Sequence, residues 1–329
     1  MSLHGSLIVV LFLASIVAID GFSSLPIWWN SGTVRIQAPS KDAPSPPESF
    51  ALKTKRIRSN LPYAHGTSLV TTESKRSALA EILRTQNVIP TILLNALGGL
   101  MQRKALGNLL SIGMMKANLI SVFIAFASCV VNDIFDIDVD KLNSPNTPLS
   151  SGKISIQMAY LLTLIFFFLP YWISKSMSPG ASFLTESSIV LLLLYTPVLK
   201  RVMVVKNLTC SLIIASTILL AAISILPDTE LIFNGLNPLD MIGKWSHIFN
   251  LCTTSTKLAF MALFVCIFSR ELEFDIRDVN GDKRMNICTI PVVFGVDVSK
   301  GMIQVFGWIW KLLLASAIVV WSRSPWVYL

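Results

Sequence analysis

The chain has 329 residues, of which 53% are hydrophobic and only 14% are charged, and its formal net charge is +8. Soluble domains carry roughly 25% charged residues, so this composition excludes an ordinary soluble domain and indicates a protein that lies in a lipid bilayer. The basic residues concentrate in the leader and in a few loops, a pattern typical of membrane orientation and not of nucleic-acid binding. The long apolar runs lack the alternation of a β-barrel, so we predict an all-α, polytopic transmembrane helical bundle.

The N-terminal part of the chain has the features of a targeting leader sequence. Residues 1–22 contain an apolar run of about 14 residues, which is the length of a signal-peptide core. Residues 23–80 are hydrophilic, rich in Ser, Thr and Pro, and similar in composition to a transit peptide. The two together resemble the two-part address of proteins imported into secondary plastids. A signal anchor followed by a disordered linker fits the same composition, and both interpretations stay open.

The membrane domain is predicted over residues 81–329. A spanning helix needs roughly 20 apolar residues, and we predict about seven of them. Counting the spans alternately places most loop lysines and arginines on the face where the first span begins, so the positive-inside rule turns that face toward the stroma or cytosol. The predicted spans are 86–102, 109–133, 158–175, 184–199, 208–226, 254–274 and 302–322.

Two short windows hold nine of the 19 acidic residues: NDIFDIDVD at 132–140 and RELEFDIRDVNGD at 270–282. Both windows contain carboxylates at i, i+3 and i+7, positions that share one face of a helix. Asp138 lies off that face. The first triplet is Asp133, Asp136 and Asp140, and the second is Asp275, Asp278 and Asp282.

Carboxylates clustered beside apolar helices repel each other and lose hydration, so a cation is expected to compensate. Mg²⁺ prefers oxygen ligands and is often held by one or two carboxylates together with substrate phosphates. A solvated charged loop after each helix is the simpler alternative. Matched spacing in two windows on the same predicted face favours a site in which Mg²⁺ and a diphosphate lie between two carboxylate stripes.

The windows resemble the two motifs of the UbiA superfamily of intramembrane prenyltransferases. The first matches NDxxDxxxD, and the second matches a DxxD-x-x-GD signature. Similar text surrounds them and is closest to the digeranylgeranylglyceryl phosphate synthase and chlorophyll synthase branches. The matching segments are RTQN at 84–87, KLNSPNTPLSSGKIS at 141–155, LLYTPVLKR at 193–201 and TIPVVFG at 289–295.

This resemblance implies a helical bundle with a central cavity and a Mg²⁺-dependent reaction. A polyprenyl group of geranylgeranyl size would pass from an allylic diphosphate to a lipophilic acceptor within the membrane. The six motif aspartates would bind Mg²⁺ and carry the catalysis. The residues implied in binding the substrate are Asn132, Lys200, Arg201 and Arg84.

The chain departs from the family pattern at three points. Thr147 stands where the family loop usually has Arg, and Phe274 stands before the second motif where the family often has a basic or polar residue. One predicted span follows the second motif, whereas the family normally has two or three. A terpene cyclase, an inactive or truncated relative, and a cation transporter therefore stay as alternatives, and the acceptor and the oligomeric state are left open.

Overall fold

The computed structural model describes residues 72–143, 146–227, 240–284 and 287–324. The predicted signal segment and most of the predicted transit-like leader lie outside these ranges. Within them, the regular elements are α-helices and short 3₁₀ helices, and no strand occurs. The predicted all-α class is confirmed.

The helices follow the predicted spans closely. In chain order, the seven predicted spans correspond to the helices labelled α2, α3, α5, α6, α7, α9 and α11 below. The helices are α1 (Thr72–Leu83), α2 (Val88–Gln102), α3 (Ile112–Phe135), α4 (Ile137–Asn143), α5 (Ile156–Ser174), α6 (Pro179–Tyr195), α7 (Val205–Ser224), α8 (Met241–Leu251), α9 (Thr254–Arg284), α10 (Ile290–Phe294) and α11 (Val296–Arg323).

Four of these helices are long and apolar enough to cross a membrane by themselves: α3, α5, α7 and α11. Helix α6 is apolar but has only 17 residues, and α2 has 15. At 1.5 Å of rise per residue both are shorter than a typical hydrocarbon core of about 30 Å. Helix α9 has 31 residues, and its C-terminal part carries the second acidic motif.

Serine caps explain where three helices begin. The side chains of Ser111, Ser155 and Ser178 each accept a hydrogen bond from the backbone amide three residues later, at 3.2–3.3 Å. A helix leaves its first amide groups without internal partners, and a serine oxygen at the cap satisfies one of them. Helices α3, α5 and α6 therefore start at positions that local sequence specifies.

Helix α7 is the centre of the bundle. It packs against α2, α3, α6 and α9, and most of its surface is buried, whereas α5 and α11 lie at the edges with most of their surface exposed. Gly98 of α2 and Gly113 of α3 allow close approaches, because a Cβ atom there would lie 2.4 Å from the Ile218 carbonyl oxygen and 2.0 Å from the Ser224 carbonyl oxygen of α7, respectively. Such small-residue contacts are characteristic of helix packing in membranes.

Contacts at the helix ends show that successive spans alternate in direction. The buried Lys104, just after α2, donates from Nζ to the carbonyl oxygens of Ser322 at 3.1 Å and Ser324 at 2.6 Å, at the end of α11. Helices α2 and α11 therefore end together, at what we call the distal end. Helices α3 and α9 run the other way and end, with their acidic motifs, at the opposite motif end.

Helix α1 precedes the first span and packs on α3. Its Ala78 and Ile82 side chains are fully buried. The predicted leader boundary at residue 80 falls inside this helix.

Candidate functional site

The first motif crosses the junction between two helices. Helix α3 ends at Phe135, and Asp136 takes φ −93° and ψ 3° before α4 begins. Helical hydrogen bonds nevertheless continue through the junction, from the Asp136 amide to the Asn132 carbonyl at 2.9 Å and from the Asp140 amide to the Asp136 carbonyl at 2.8 Å. The three aspartates therefore keep approximately helical spacing, with a break that the pattern did not predict.

The second motif lies within the single helix α9, so its three aspartates share one helix face as predicted. Asp275 is buried, and Asp278 and Asp282 are half-buried. The Thr289 hydroxyl donates to Asp282 Oδ2 at 3.1 Å from the segment before α10. The stripe thus runs from the bundle interior toward its end.

Basic side chains from other elements contact the first motif. Arg84 Nη2 donates to Asp133 Oδ1 at 2.8 Å. Lys200 Nζ lies 3.0 and 2.8 Å from the two oxygens of Asp136 and 3.1 Å from Asn132 Oδ1. The structure therefore places Arg84, Lys200 and Asn132, three of the four predicted substrate-binding residues, directly beside the predicted carboxylates.

Two residues that contact the second motif, Lys206 and Asn207, were not identified as site residues from the sequence. Lys206 forms an ion pair with Asp275 Oδ1, and Asn207 Nδ2 donates to Asp275 Oδ2 at 3.0 Å. Both belong to the first turn of α7. Their position on the basic face and at the start of a span was the available signal, but contact with a residue 68 positions away cannot be read from local spacing.

Two sequence predictions remain: that Asp138 lies off the carboxylate face, and that Arg201 binds the substrate. Asp138 is exposed and pairs with Lys141 at 3.1 Å, which agrees with its predicted position off the carboxylate face. Arg201 belongs to the 3₁₀ helix Leu199–Arg201, but its side chain lies outside the described part of the chain.

Several buried polar atoms at the motif end have no hydrogen-bond partner among the described residues. They are both amide atoms of Asn87, Nδ2 of Asn132, Oδ1 of Asn207 and Oγ1 of Thr196. Leaving such a group unpaired costs about 1–3 kcal/mol, so these atoms are suited to receive a polar ligand. They include both donors and acceptors.

A narrow cleft lies between the surroundings of the two motifs. It is lined by Lys200, which contacts the first motif, and by Asp275 of the second, together with Lys206, Asn207 and Thr289. The exposed Cys288 thiol also borders it. The cleft therefore offers cationic and anionic side chains to one ligand.

The donor set suits Mg²⁺, because carboxylate and amide oxygens are the ligands that this ion prefers. The described side chains do not, however, bring three acidic, His or Cys residues close enough to enclose a metal ion. Three of the motif aspartates, Asp133, Asp136 and Asp275, are each paired with a basic residue of another element. In the first motif, burial and then the neighbouring Asp136 carboxylate raise the pKa of Asp140.

Comparison with known proteins agrees with this arrangement. The model of the UbiA prenyltransferase family matches residues 92–329. The chain is 27% identical to the digeranylgeranylglyceryl phosphate synthase of Pyrococcus horikoshii over 70% of this chain and 74% of the relative. It is 26% identical to the synthase of the same name from Sulfurisphaera tokodaii, over 76% of this chain and 79% of that one.

A solved structure shares the fold. The UbiA homologue from Archaeoglobus fulgidus bound to GPP and Mg²⁺ superposes with a TM-score of 0.53 at 19% identity, covering 74% of this chain and 78% of the other. The family match covers well over half of the chain, and the helical bundle, the two motifs and their common end are consistent with it. The chain is therefore a multi-pass integral membrane protein that belongs to the UbiA prenyltransferase family.

Proposed function

We propose that this prenyltransferase moves a polyprenyl group from an allylic diphosphate to a lipophilic acceptor within the membrane, with Mg²⁺ as cofactor. The observation that carries the proposal is the grouping of two carboxylate stripes and their basic partners at one end of an apolar bundle. An amphiphilic donor needs this combination, because its diphosphate is charged and its chain is apolar. The Archaeoglobus fulgidus homologue bound to GPP and Mg²⁺ supports the same donor class.

The motif aspartates would hold the metal ions. Asp136, Asp278 and Asp282 are half-buried, so a ligand reaches them more easily than Asp133, Asp140 and Asp275, which are buried. Bound Mg²⁺ would stabilise the charge that grows on the diphosphate as it leaves. We place Asp133 and Asp275 at the inner edge of the metal site, where each is already paired with a basic side chain.

Basic and amide side chains would bind the diphosphate itself. Lys200 lies within the cleft and can form charge-assisted hydrogen bonds to phosphate oxygens, as Arg84 can from the other side of the first motif. Asn132 Nδ2 has no hydrogen-bond partner among the described residues and would donate to the same ligand. Arg201 follows Lys200 in the same 3₁₀ helix and is proposed to add a further positive charge.

The apolar interior would take the prenyl chain. One small apolar pocket lies among α2, α7, α9 and α11, and its lining is aliphatic apart from Cys266 and Trp310. A second small pocket lies among α3, α6 and α7 and is lined by aliphatic and hydroxyl side chains. A geranylgeranyl-sized chain is proposed because the curated relatives are named digeranylgeranylglyceryl phosphate synthases.

The test is a transfer assay on membranes that contain the full chain. Radiolabelled geranylgeranyl diphosphate is supplied with Mg²⁺ and a membrane lipid extract, and the controls are EDTA and the double variant Asp136→Ala, Asp278→Ala. A labelled lipid that disappears in both controls supports the proposal, and its mass identifies the acceptor. A labelled hydrocarbon formed without any acceptor would instead show a cyclase. Absence of both product and Mg²⁺-dependent diphosphate binding would sink the proposal.

We also propose that the motif end faces the stroma or cytosol, because it carries the basic residues Arg84, Lys200 and Lys206. Cys288 is the exposed cysteine of the described chain and lies at this end. A membrane-impermeant maleimide should therefore label it from the stromal or cytosolic side of sealed vesicles and not from the other. The plastid assignment rests on the composition of residues 1–80, and a fluorescent fusion of that segment tests it.

A further inference from the structure

One short connector touches both acidic motifs. It runs from Lys200, in the 3₁₀ helix after α6, to Asn207, in the first turn of α7. Lys200 contacts Asp136 of the first motif, and Lys206 and Asn207 contact Asp275 of the second. Eight consecutive residues therefore link two motifs that are far apart in sequence.

The contact with Asp275 uses both of its carboxylate oxygens. Lys206 pairs with Oδ1, and Asn207 Nδ2 donates to Oδ2. The Asp275 side chain is 4% exposed, and that of Lys206 is 20% exposed. A buried carboxylate keeps its charge only when hydrogen bonds and an opposite charge compensate its lost hydration, and this pair supplies both.

The connector also stores backbone strain at Val204, directly before α7. Val204 has φ 63° and ψ −47°, which is an outlier for a β-branched residue. A conformation of this kind costs about 1–3 kcal/mol and persists only where the surroundings enforce it. Here Val204 packs on the buried cluster of Phe268, Leu272 and Ile290, so the bend lies between the two lysines and against α9 itself.

A second buried carboxylate near Lys206 also requires a positive charge close to it. Glu271 lies one helical turn before Asp275 in α9, is 5% exposed, and interacts electrostatically with both Asp275 and Lys206. Two neighbouring carboxylates in a buried site repel each other unless a cation lies near both. Lys206 and Arg270 both act on Glu271, and Lys206 is also tied to α9 by its ion pair with Asp275.

We propose that Lys206 and Asn207 are positioning residues, which hold Asp275 and through it the second carboxylate stripe at a fixed distance from the first. In this role Lys206 stays on Asp275 during turnover and does not bind the diphosphate. The inference rests on the proposed function, since it assigns a task within that site. It separates Lys206 from Lys200, which lies in the same cleft and is proposed above as a phosphate ligand.

The experiment compares Lys206→Met, Lys206→Arg and Asn207→Ser in the full chain with wild type. Lys116→Met is the matched control, because Lys116 is half-buried at the distal end, far from both motifs, and its Nζ donates to the Ser176 carbonyl at 2.9 Å. For each protein, kcat, KM for geranylgeranyl diphosphate and the Mg²⁺ concentration for half-maximal rate are measured. Labelling of the buried thiols Cys129, Cys210, Cys252 and Cys266 reports misfolding.

A positioning role predicts that Lys206→Met lowers kcat by about 10- to 100-fold, because small displacements of reacting groups have effects of that order. Its KM should stay within about threefold of wild type, since no contact to the donor is lost. Its Mg²⁺ requirement should not rise, because the variant site is more negative. Lys206→Arg should recover most of kcat, and Asn207→Ser should lower kcat by a smaller factor than Lys206→Met.

Two results would overturn the inference. A KM raised about tenfold with kcat unchanged would make Lys206 a ligand of the donor. Rates equal to those of Lys116→Met would show that the contact has no role in the reaction. If Lys206→Met exposes the buried thiols, the decision passes to Asn207→Ser under the same criteria. A wild-type protein without Mg²⁺-dependent turnover would instead refute the proposed function, and the positioning role with it.

Discussion

Arg84 and Asp133, 49 residues apart, form a hydrogen-bonded ion pair of 2.8 Å in which the two side chains are 12% and 11% exposed. The pair joins Arg84, which directly follows α1, to Asp133 in the last turn of α3. Arg84 itself has a left-handed backbone conformation, with φ 48° and ψ 55°. The entry to the first span is therefore anchored on the first acidic motif.

Removing only the cation from this pair should destabilise the protein strongly. Arg84→Met leaves the buried Asp133 without its partner, and breaking a buried pair in this way costs about 3–5 kcal/mol. We expect a lower temperature of thermal inactivation in detergent for Arg84→Met. The double variant Arg84→Met, Asp133→Leu removes both charges and should be more stable than the single variant. Equal stability of the two would show that the pair is not coupled.

The two types of aspartate in the first motif should differ in activity. Asp136→Asn should reduce the transfer rate by about 100-fold or more, because a metal ion contributes several kcal/mol to the transition state. Asp138→Asn should retain most activity, since Asp138 is exposed and contacts Lys141. Initial rates at saturating Mg²⁺ decide the matter, and comparable losses in both variants would contradict the assignment of the carboxylate face.

The close approach of α2 and α7 should make Gly98 intolerant of any side chain. A Cβ atom at this position would lie 2.4 Å from the Ile218 carbonyl oxygen, so Gly98→Ala forces the two backbones apart. Overpacking of this kind costs about 1–3 kcal/mol. Gly107→Ala is the matched control, because nothing lies within 4 Å of a Cβ atom there. Thermal inactivation should separate the two variants, and similar midpoints would argue against the packing.

The distal end should affect stability without affecting the requirement for Mg²⁺. Trp321 Nε1 donates to the Leu100 carbonyl at 2.7 Å, and Lys104 Nζ lies 4.6 Å from the centre of the Trp321 ring. Trp321→Phe leaves that buried carbonyl without the indole donor, at a cost of about 1–3 kcal/mol. We expect faster thermal inactivation with an unchanged Mg²⁺ concentration for half-maximal rate. A changed Mg²⁺ dependence would show that the two ends are coupled.

Much of the architecture follows from short-range patterns in the sequence. A helix has a period of 3.6 residues and a span needs a minimum length, so the apolar runs and the i, i+3, i+7 aspartates could be placed on helices without coordinates. Because successive spans alternate in direction, the count alone put Asp133 and Asp275 at the same end. The serine caps at Ser111, Ser155 and Ser178 are local signals of the same kind.

Helix boundaries were less predictable where tertiary contacts extend or interrupt a helix. The sixth predicted span ended at residue 274, but α9 continues to Arg284, because its acidic last turns are paired with α7 and with Thr289. At Asp136 the reverse occurs, because the helix is interrupted within a motif that was predicted to be helical throughout. The span boundaries were predicted from the change in hydropathy at each motif. The observed helix boundaries depend instead on hydrogen bonds and ion pairs with other parts of the chain.

By itself, then, the sequence determined the class of the protein, the number and direction of its main helices, and which carboxylates share a face. Only the tertiary structure decided which cations meet them. Lys206 and Asn207 reach Asp275 across 69 and 68 residues, and the bend at Val204 that directs them is imposed by packing on α9. Periodicity is a property of neighbouring residues, but an ion pair depends on where two helices come to lie, and that depends on the packing of the whole bundle.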